Sequence, residues 1–191
     1  LSGDIAVGGS GAPLTPLYHR AMFARQGATN VVINIGGIAN ITLLKSDDEC
    51  LATDTGPGNC LLDTIINDRT GGRFDTDGNV ASSGAIDEAL LAELLQAEVL
   101  RRKLPASHDR GEILRLLQDE KISAHLDRLA TESVMATLGE LTVLTIKRAA
   151  EQFLGGAVPE SVIVCGGGAH NVFLMQRLQK HFADSKVVSA G

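Results

Sequence analysis

Four short glycine clusters and one aspartate are the parts of this sequence whose residue types and spacing could do chemistry. The clusters are Gly8–Gly11, Gly36–Gly37, Gly56–Gly58 and Gly166–Gly168, and the aspartate is Asp54. Glycine accounts for 21 of the 191 residues, against a usual share of about 7%. Each cluster is bracketed by segments with strand or helix patterns, which indicates turns where the backbone must approach a neighbour or a ligand closely.

Asp54 precedes the glycine-containing loop that ends at Asn59. The sequence predicts a strand over Cys50–Asp54 and a helix that starts at Asn59, so the carboxylate is expected at the C-terminal end of the strand. Open α/β sheets bind their ligands at that edge. An aspartate there could be an anion neutralised by the helix dipole, a Mg²⁺ ligand or a general base. Since Asn59 is better placed as the N-cap, Asp54 is expected to serve a ligand.

The three glycines Gly166–Gly168 connect a predicted strand, Ser161–Cys165, to a predicted helix, Asn171–Phe182. Such a turn exposes N–H groups that suit an anionic ligand. A Rossmann fingerprint is disfavoured because its sixth position is Asn171 and no acidic residue ends the next strand, and no P-loop motif occurs. Three backbone loops without an adjacent lysine imply phosphates held by N–H groups and a divalent cation. The alternatives of tight packing and an ordinary hairpin at Asn34–Asn40 stay open at this point.

The remaining patterns predict an α/β domain with three layers. Strands are expected over Val31–Asn34, Ile38–Leu44 and Lys186–Ser189, in addition to the two named above. A second helix is expected from Ser82 to about Pro105, and a long helix from Thr131 to Phe153 that stops at Gly155–Gly156. The leucine stripe of the second helix (Leu90, Leu91, Leu94, Leu95, Val99) suits either the core or a homodimer surface.

Charge and composition narrow the classes of partner. The formal net charge is −6, which argues against binding to nucleic acid or to an anionic membrane, because both need clustered cations. No stretch approaches the roughly 18–20 apolar residues of a membrane span, and no signal peptide is visible at the N-terminus. The three cysteines, Cys50, Cys60 and Cys165, are scattered and odd in number, which favours a reducing cytoplasm.

Four ordered blocks resemble the anhydro-N-acetylmuramic acid kinase family. They are Asp4–Leu14, Asn34–Asn40, Asp54–Asn59 and Val164–Asn171. The resemblance implies a ribonuclease-H-like (actin-like ATPase) mixed β-sheet flanked by helices, with a helical insertion over residues 72–130. It also implies that residues 1–191 are the second lobe of a kinase, without the family's N-terminal lobe and its last C-terminal segment.

The resemblance implies ATP and Mg²⁺ as cofactors and 1,6-anhydro-N-acetylmuramic acid, a small amino sugar, as substrate. Asp54 falls on the position of the general base, which activates the water that opens the anhydro ring while O6 receives the γ-phosphoryl group. No residue is assigned as a metal ligand. The residues expected to contact the nucleotide are Asn34, Gly36, Gly37, Gly56, Gly58, Asn59, Gly166, Gly167, Gly168 and Asn171.

The segment Ala106–Glu112 departs from the family pattern, which carries Lys-Ser-Thr-Gly-Arg-Glu there. Its cluster His108–Arg110 is expected to be an ordinary solvated loop. Two other functions remain as alternatives: a non-catalytic nucleotide-binding remnant, and a kinase of the same superfamily that acts on another sugar.

Overall fold

A computed structural model describes residues 29–45 and 50–190 of the chain. The Asp4–Leu14 block lies outside the described residues. Five strands form one mixed sheet: β1 (Asn30–Ile35), β2 (Ile38–Leu44), β3 (Cys50–Pro57), β4 (Ser161–Cys165) and β5 (Lys186–Ser189). Their spatial order is β3-β2-β1-β4-β5.

The pairing follows directly from the connections between strands. β1, β2 and β3 are joined by short loops and pair antiparallel, whereas β4 lies parallel to β1, and β5 lies parallel to β4. Parallel neighbours need a crossover, which the helices between β3 and β4 and between β4 and β5 provide. β1 therefore lies at the centre of the sheet, with Val31, Val32 and Ile33 fully buried.

Seven helices occur among the described residues. They are α1 (Cys60–Thr70), α2 (Asn79–Ser83), α3 (Glu88–Gln96), α4 (Arg110–Leu114), α5 (Glu120–Leu126), α6 (Thr131–Leu154) and α7 (Val172–His181). Short 3-10 turns span Thr76–Gly78, Glu98–Arg101, Arg115–Gln118 and Gly167–His170. None of these helices combines the length and the apolar composition that a membrane crossing requires.

Helix α6 is the main support of the sheet. It contacts β2 and β3 and also packs against α1, α3 and α7. Gly139 lets α7 approach, because a Cβ at this position would lie 2.7 Å from the Cε1 atom of Phe173. The helix ends at Gly155, whose φ of 59° is the left-handed conformation expected of a glycine C-cap.

The element types predicted from the sequence are largely confirmed, and two boundaries are corrected. β3 continues through Pro57 rather than ending at Asp54. The predicted second helix is interrupted, since α2 ends at Ser83 and α3 begins after Asp87, whose carboxylate accepts the N–H of Leu90. The region after Pro105 contains helices α4 and α5, each begun by an aspartate cap, Asp109 or Asp119.

The leucine stripe of α3 belongs to the core. Leu90, Leu91 and Leu94 are buried, and Leu95 and Val99 pack against them. This segment therefore buries its apolar face within the chain itself.

Candidate functional site

The β1–β2 turn and the β3–α1 loop are joined through their backbones. The N–H groups of Gly58 and Cys60 donate to the Gly37 carbonyl at 3.0 and 3.1 Å, and that of Asn59 donates to the Gly36 carbonyl at 2.8 Å. A Cβ on Gly58 would overlap the Gly36 carbonyl oxygen. The two glycine turns thus form one unit, and a phosphate bound here would have to use donors other than these three amides.

The third glycine turn packs against the same unit. Gly166 has a φ of +80°, and a Cβ there would lie 2.5 Å from Asn34 Oδ1 and 2.8 Å from the Ile35 carbonyl oxygen. A Cβ on Gly168 would overlap the side chain of Ile35. Because β1 and β4 are parallel neighbours that place Asn34 beside Cys165, both of their C-terminal turns meet at one edge of the sheet.

Asn59 occupies the predicted N-cap position of helix α1, but its side chain makes no capping hydrogen bond. Its side-chain N–H donates instead to the Ile35 carbonyl at 3.3 Å. Its Nδ2 also lies 3.5 Å from the position that a Cβ on Gly167 would take. The amide group is therefore turned towards β1, and Asn59 lies where all three turns meet.

Asp54 lies inside β3 rather than at its end. It pairs with Asn40 of β2, and a bulge follows, in which Thr55 is the additional residue before Gly56 pairs with Ala39. The Oδ2 atom of Asp54 accepts the His108 N–H at 3.0 Å and the Ser107 hydroxyl at 3.4 Å. Asp54 is partly exposed and lies beside the Ala106–His108 segment, which includes the first residue of the cluster expected to be an ordinary solvated loop.

A cleft of about 440 Å³ opens next to the converging turns. This volume is within the range of small-molecule sites. Its walls come from α1, the turn before α2 and the loop after β4. The lining residues are Asn59, Leu62, Asp63, Phe74, Asp75, Thr76, Asp77, Gly167, His170 and Asn171.

One side of the cleft is held by the hydrogen-bonded Asn171 side chain, and another presents the exposed ring of Phe74. Asn171 caps α7 by accepting the Leu174 N–H at 3.0 Å, and Gly78, at a φ of +71°, leaves room for this amide because a Cβ would overlap it. Phe74 is 59% exposed although it lines the cleft. Burial raises the pKa of Asp63, and Arg110 partly opposes this shift.

The structure brings most of the predicted nucleotide-contacting residues together. Asn34, Gly36, Gly37, Gly58, Asn59 and Gly166 to Gly168 surround the meeting point of the turns, and Gly167, Asn59 and Asn171 line the cleft. Gly56 packs instead against Leu100 and Thr145. Asp54 is not part of the cleft wall.

Sequence reasoning missed Phe74, Ser107 and the role of His108. A single aromatic residue in a polar turn and a loop about 50 residues from Asp54 carry no local signal. The packing of residues 98–108 along β3 identifies Ser107 and His108, and the assembled cleft identifies Phe74.

Comparison with known proteins identifies relatives over nearly the whole chain. The sequence model of the anhydro-N-acetylmuramic acid kinase family matches residues 2–191. The anhydro-N-acetylmuramic acid kinase of Vibrio vulnificus (strain YJ016) is 44% identical over 186 residues, which cover 96% of this chain and 49% of the relative. That of Caulobacter vibrioides is 42% identical over 177 residues, 92% of this chain and 45% of the relative. The chain thus spans about half the length of the curated relatives it matches.

A solved structure shares the fold at low sequence identity. The activator of the 2-hydroxyisocaproyl-CoA dehydratase from Clostridium difficile, solved with bound ADPNP, aligns with a TM-score of 0.54 and 14% identity. The alignment covers 84% of this chain and 53% of that one. This similarity confirms the predicted fold class, an α/β ribonuclease-H-like sheet of the actin-like ATPase type flanked by helices.

Proposed function

The chain belongs to the anhydro-N-acetylmuramic acid kinase family, and from this premise we propose that the full-length protein phosphorylates 1,6-anhydro-N-acetylmuramic acid with ATP. The product is N-acetylmuramic acid 6-phosphate, an intermediate in the reuse of cell-wall peptidoglycan. The observation that carries this proposal is the family match over residues 2–191. The convergence of three glycine turns at one sheet edge supports it from the structure.

The cleft beside the turns is the proposed nucleoside site. Gly167 and Asn171 border it, as the family resemblance implies for the adenosine loop, and Phe74 offers an exposed ring for the base. Aromatic rings suit this use because every base presents a flat face for stacking. The phosphates would then extend from the cleft towards Gly36 and Gly37.

Asp54 is the proposed general base. As a carboxylate it can accept a proton from water, whose oxygen attacks C1 of the sugar while the C1–O6 bond breaks. O6 takes the γ-phosphoryl group of ATP, and ADP is the leaving group. A carboxylate held by two donors on Oδ2 keeps Oδ1 available for the water. Positioning of this kind contributes much of the rate in such reactions.

ATP supplies the phosphoryl group, and Mg²⁺ is the proposed counter-ion of its phosphates. Among the described residues, no group of three His, Cys, Asp or Glu side chains is placed to hold a metal ion. Mg²⁺ in kinases is commonly bound by phosphates, waters and one or two carboxylates. We therefore propose that the cation arrives with the nucleotide. The proposed location of the enzyme is the cytoplasm.

Substitution of Asp54 tests the proposed reaction. In the full-length protein, Asp54→Asn is expected to lower kcat at least about 100-fold, because the amide cannot accept the water proton. Product formation is followed by ³¹P NMR, and ¹⁸O from labelled water should appear on C1. Asp68→Asn on the exposed side of α1 is the matched control and should keep full turnover.

The same assay separates the alternatives. Normal turnover by Asp54→Asn would exclude Asp54 as the base. Nucleotide binding by the wild-type protein without any phosphate transfer would support a non-catalytic module, and transfer to a different sugar would support another kinase of the superfamily.

A further inference from the structure

The Ala106–His108 segment runs along the outer edge of β3. β3 is the edge strand of the described sheet, so its outer N–H and C=O groups need partners from elsewhere. The Asp54 N–H donates to the Ala106 carbonyl at 3.1 Å, and the Ala106 N–H donates to the Thr53 hydroxyl at 2.8 Å. The segment is thereby held in register with Asp54.

The two carboxylate oxygens of Asp54 differ in their hydrogen bonds. Oδ2 accepts the His108 N–H at 3.0 Å and the Ser107 hydroxyl at 3.4 Å. Oδ1 accepts no hydrogen bond from any described residue. One oxygen is therefore fixed by the segment, and the other is left for a ligand or water.

The chain before the segment is anchored independently. Leu100 packs over Gly56, where a Cβ would come within 3.2 Å of Leu100 Cδ2. Arg148 of α6 donates to the Leu100 carbonyl at 2.8 Å. The loop that carries Ala106–His108 is thus attached both to the sheet and to the long helix that supports it.

The imidazole of His108 does not neutralise the carboxylate. Burial lowers the pKa of His108; Arg102 adds to this shift, and Asp54 and Glu112 oppose it. The ring is thus expected to be neutral at neutral pH. Its Nδ1 is buried without a hydrogen-bond partner among the described residues.

We propose that the Ala106–His108 segment positions the Asp54 carboxylate. The hydrogen bond from the Ala106 N–H to the Thr53 hydroxyl holds the segment against β3. This inference rests on the proposed function of Asp54 as the general base. The segment holds Oδ2 through the His108 N–H and directs Oδ1 to the attacking water. Ser107 and Thr53 are positioning residues rather than catalytic ones.

Thr53→Val removes the hydroxyl that accepts the Ala106 N–H and leaves the size of the side chain nearly unchanged. In the full-length protein, kcat at pH 7 is expected to fall about fivefold, because Oδ1 is no longer aligned with the attacking water. The KM for ATP should stay within about twofold. Thr53→Ser keeps the hydroxyl and should restore the wild-type kcat. A Thr53→Val kcat identical to that of the wild type would overturn the inference.

Hydrogen exchange tests the same contact without relying on turnover. In the full-length protein, Asp54→Ala should speed amide exchange in a peptide that spans residues 104–110 at least about tenfold, because the His108 N–H loses its acceptor. A peptide from α5 should be unchanged. If the wild-type protein shows no phosphate transfer, the proposed function fails while this exchange still decides the positioning contact; unchanged exchange in Asp54→Ala overturns it.

Discussion

Gly58 leaves no room for a side chain, because a Cβ would overlap the Gly36 carbonyl oxygen. Its Cα faces the Gly36 carbonyl, and a Cβ would also lie 3.1 Å from the Ala39 nitrogen. The neighbouring atoms belong to the backbone of the β1–β2 turn, so they cannot move aside as the end of a flexible side chain would. The close approach of the two turns therefore depends on glycine at this position.

We expect Gly58→Ala to destabilise the protein by about 3 kcal/mol, since overpacking against backbone forces a shift of the strand. Urea denaturation followed by circular dichroism measures the loss. Gly36→Ala is the matched control in the facing turn, because its Cβ would come no closer than 3.5 Å to a neighbour and should cost less than about 1 kcal/mol. Equal losses in the two variants would contradict the close-approach explanation.

Phe74 is too exposed to be a residue of the hydrophobic core, and its position suits ligand binding. It is one of three large hydrophobic residues that are exposed among the described residues, and it lines the cleft proposed for the nucleoside. If the base stacks on this ring, Phe74→Ala should weaken ADP binding about tenfold or more, since stacking contributes about 1–3 kcal/mol. Isothermal titration calorimetry of the full-length protein measures this effect.

Phe74→Tyr keeps the aromatic face and is the control for that measurement. Its affinity should stay within about threefold of the wild type, because a solvent-facing hydroxyl adds little. Equal ADP affinity in Phe74→Ala and the wild type would place the base elsewhere.

At the scale of elements, helices α6 and α7 are joined by a buried charge cluster. Glu140 on α6 is 4% exposed and accepts two hydrogen bonds from Arg177 at 2.5 and 2.6 Å. His181 Nε2 lies 2.8 Å from Glu140 Oε1. Burial alone raises the pKa of Glu140, but the Arg177 and His181 hydrogen bonds outweigh it and lower the pKa below its usual value of 4.5.

This cluster makes stability depend on pH in one direction. A carboxylate with a lowered pKa stabilises the fold at pH values above its unfolded pKa, and that contribution is lost as pH falls through the folded value. Glu140→Gln should therefore lower the free energy of unfolding by about 3 kcal/mol at pH 7. The difference from the wild type should shrink as pH falls below 4.5.

Urea denaturation from pH 3 to pH 7 checks this prediction. Glu151→Gln is the control on the same helix, because Glu151 is 66% exposed and its Lys147 partner lies at 3.6 Å. Such surface pairs contribute less than about 1 kcal/mol. A constant difference between Glu140→Gln and the wild type at all pH values would contradict the role of the carboxylate charge.

At the scale of the whole molecule, the strand order explains why distant turns meet. β1 pairs with β2 on one side and with β4 on the other, although more than 100 residues separate β1 from β4. The turns after β1 and β4 are thereby placed at the same edge, and the antiparallel β2–β3 pair returns the chain to this edge at Gly58. This convergence supports the proposed nucleotide site at this edge of the sheet.

Local sequence patterns suffice to predict most element types, the family and the glycine turns that meet at the sheet edge. β-branched runs identified β1 and β4, a long apolar stripe identified α6, and glycines marked the turns. These features depend on contacts within a few residues, so periodicity and turn chemistry report them. For the same reason, Asp87 as a cap of α3 was within reach of the sequence.

The way in which the site residues are held depends on contacts that form only in the folded chain. Asp54 lies within an extended β3, Asn59 turns towards Ile35 instead of capping α1, and Phe74 borders the cleft. The contacts of Ser107 and His108 with Asp54 bridge more than 50 residues. These contacts form because β3 is the edge strand of the described sheet and because Arg148 anchors the chain at Leu100. Both conditions arise only once the sheet is assembled, so no local sequence pattern could encode the contacts.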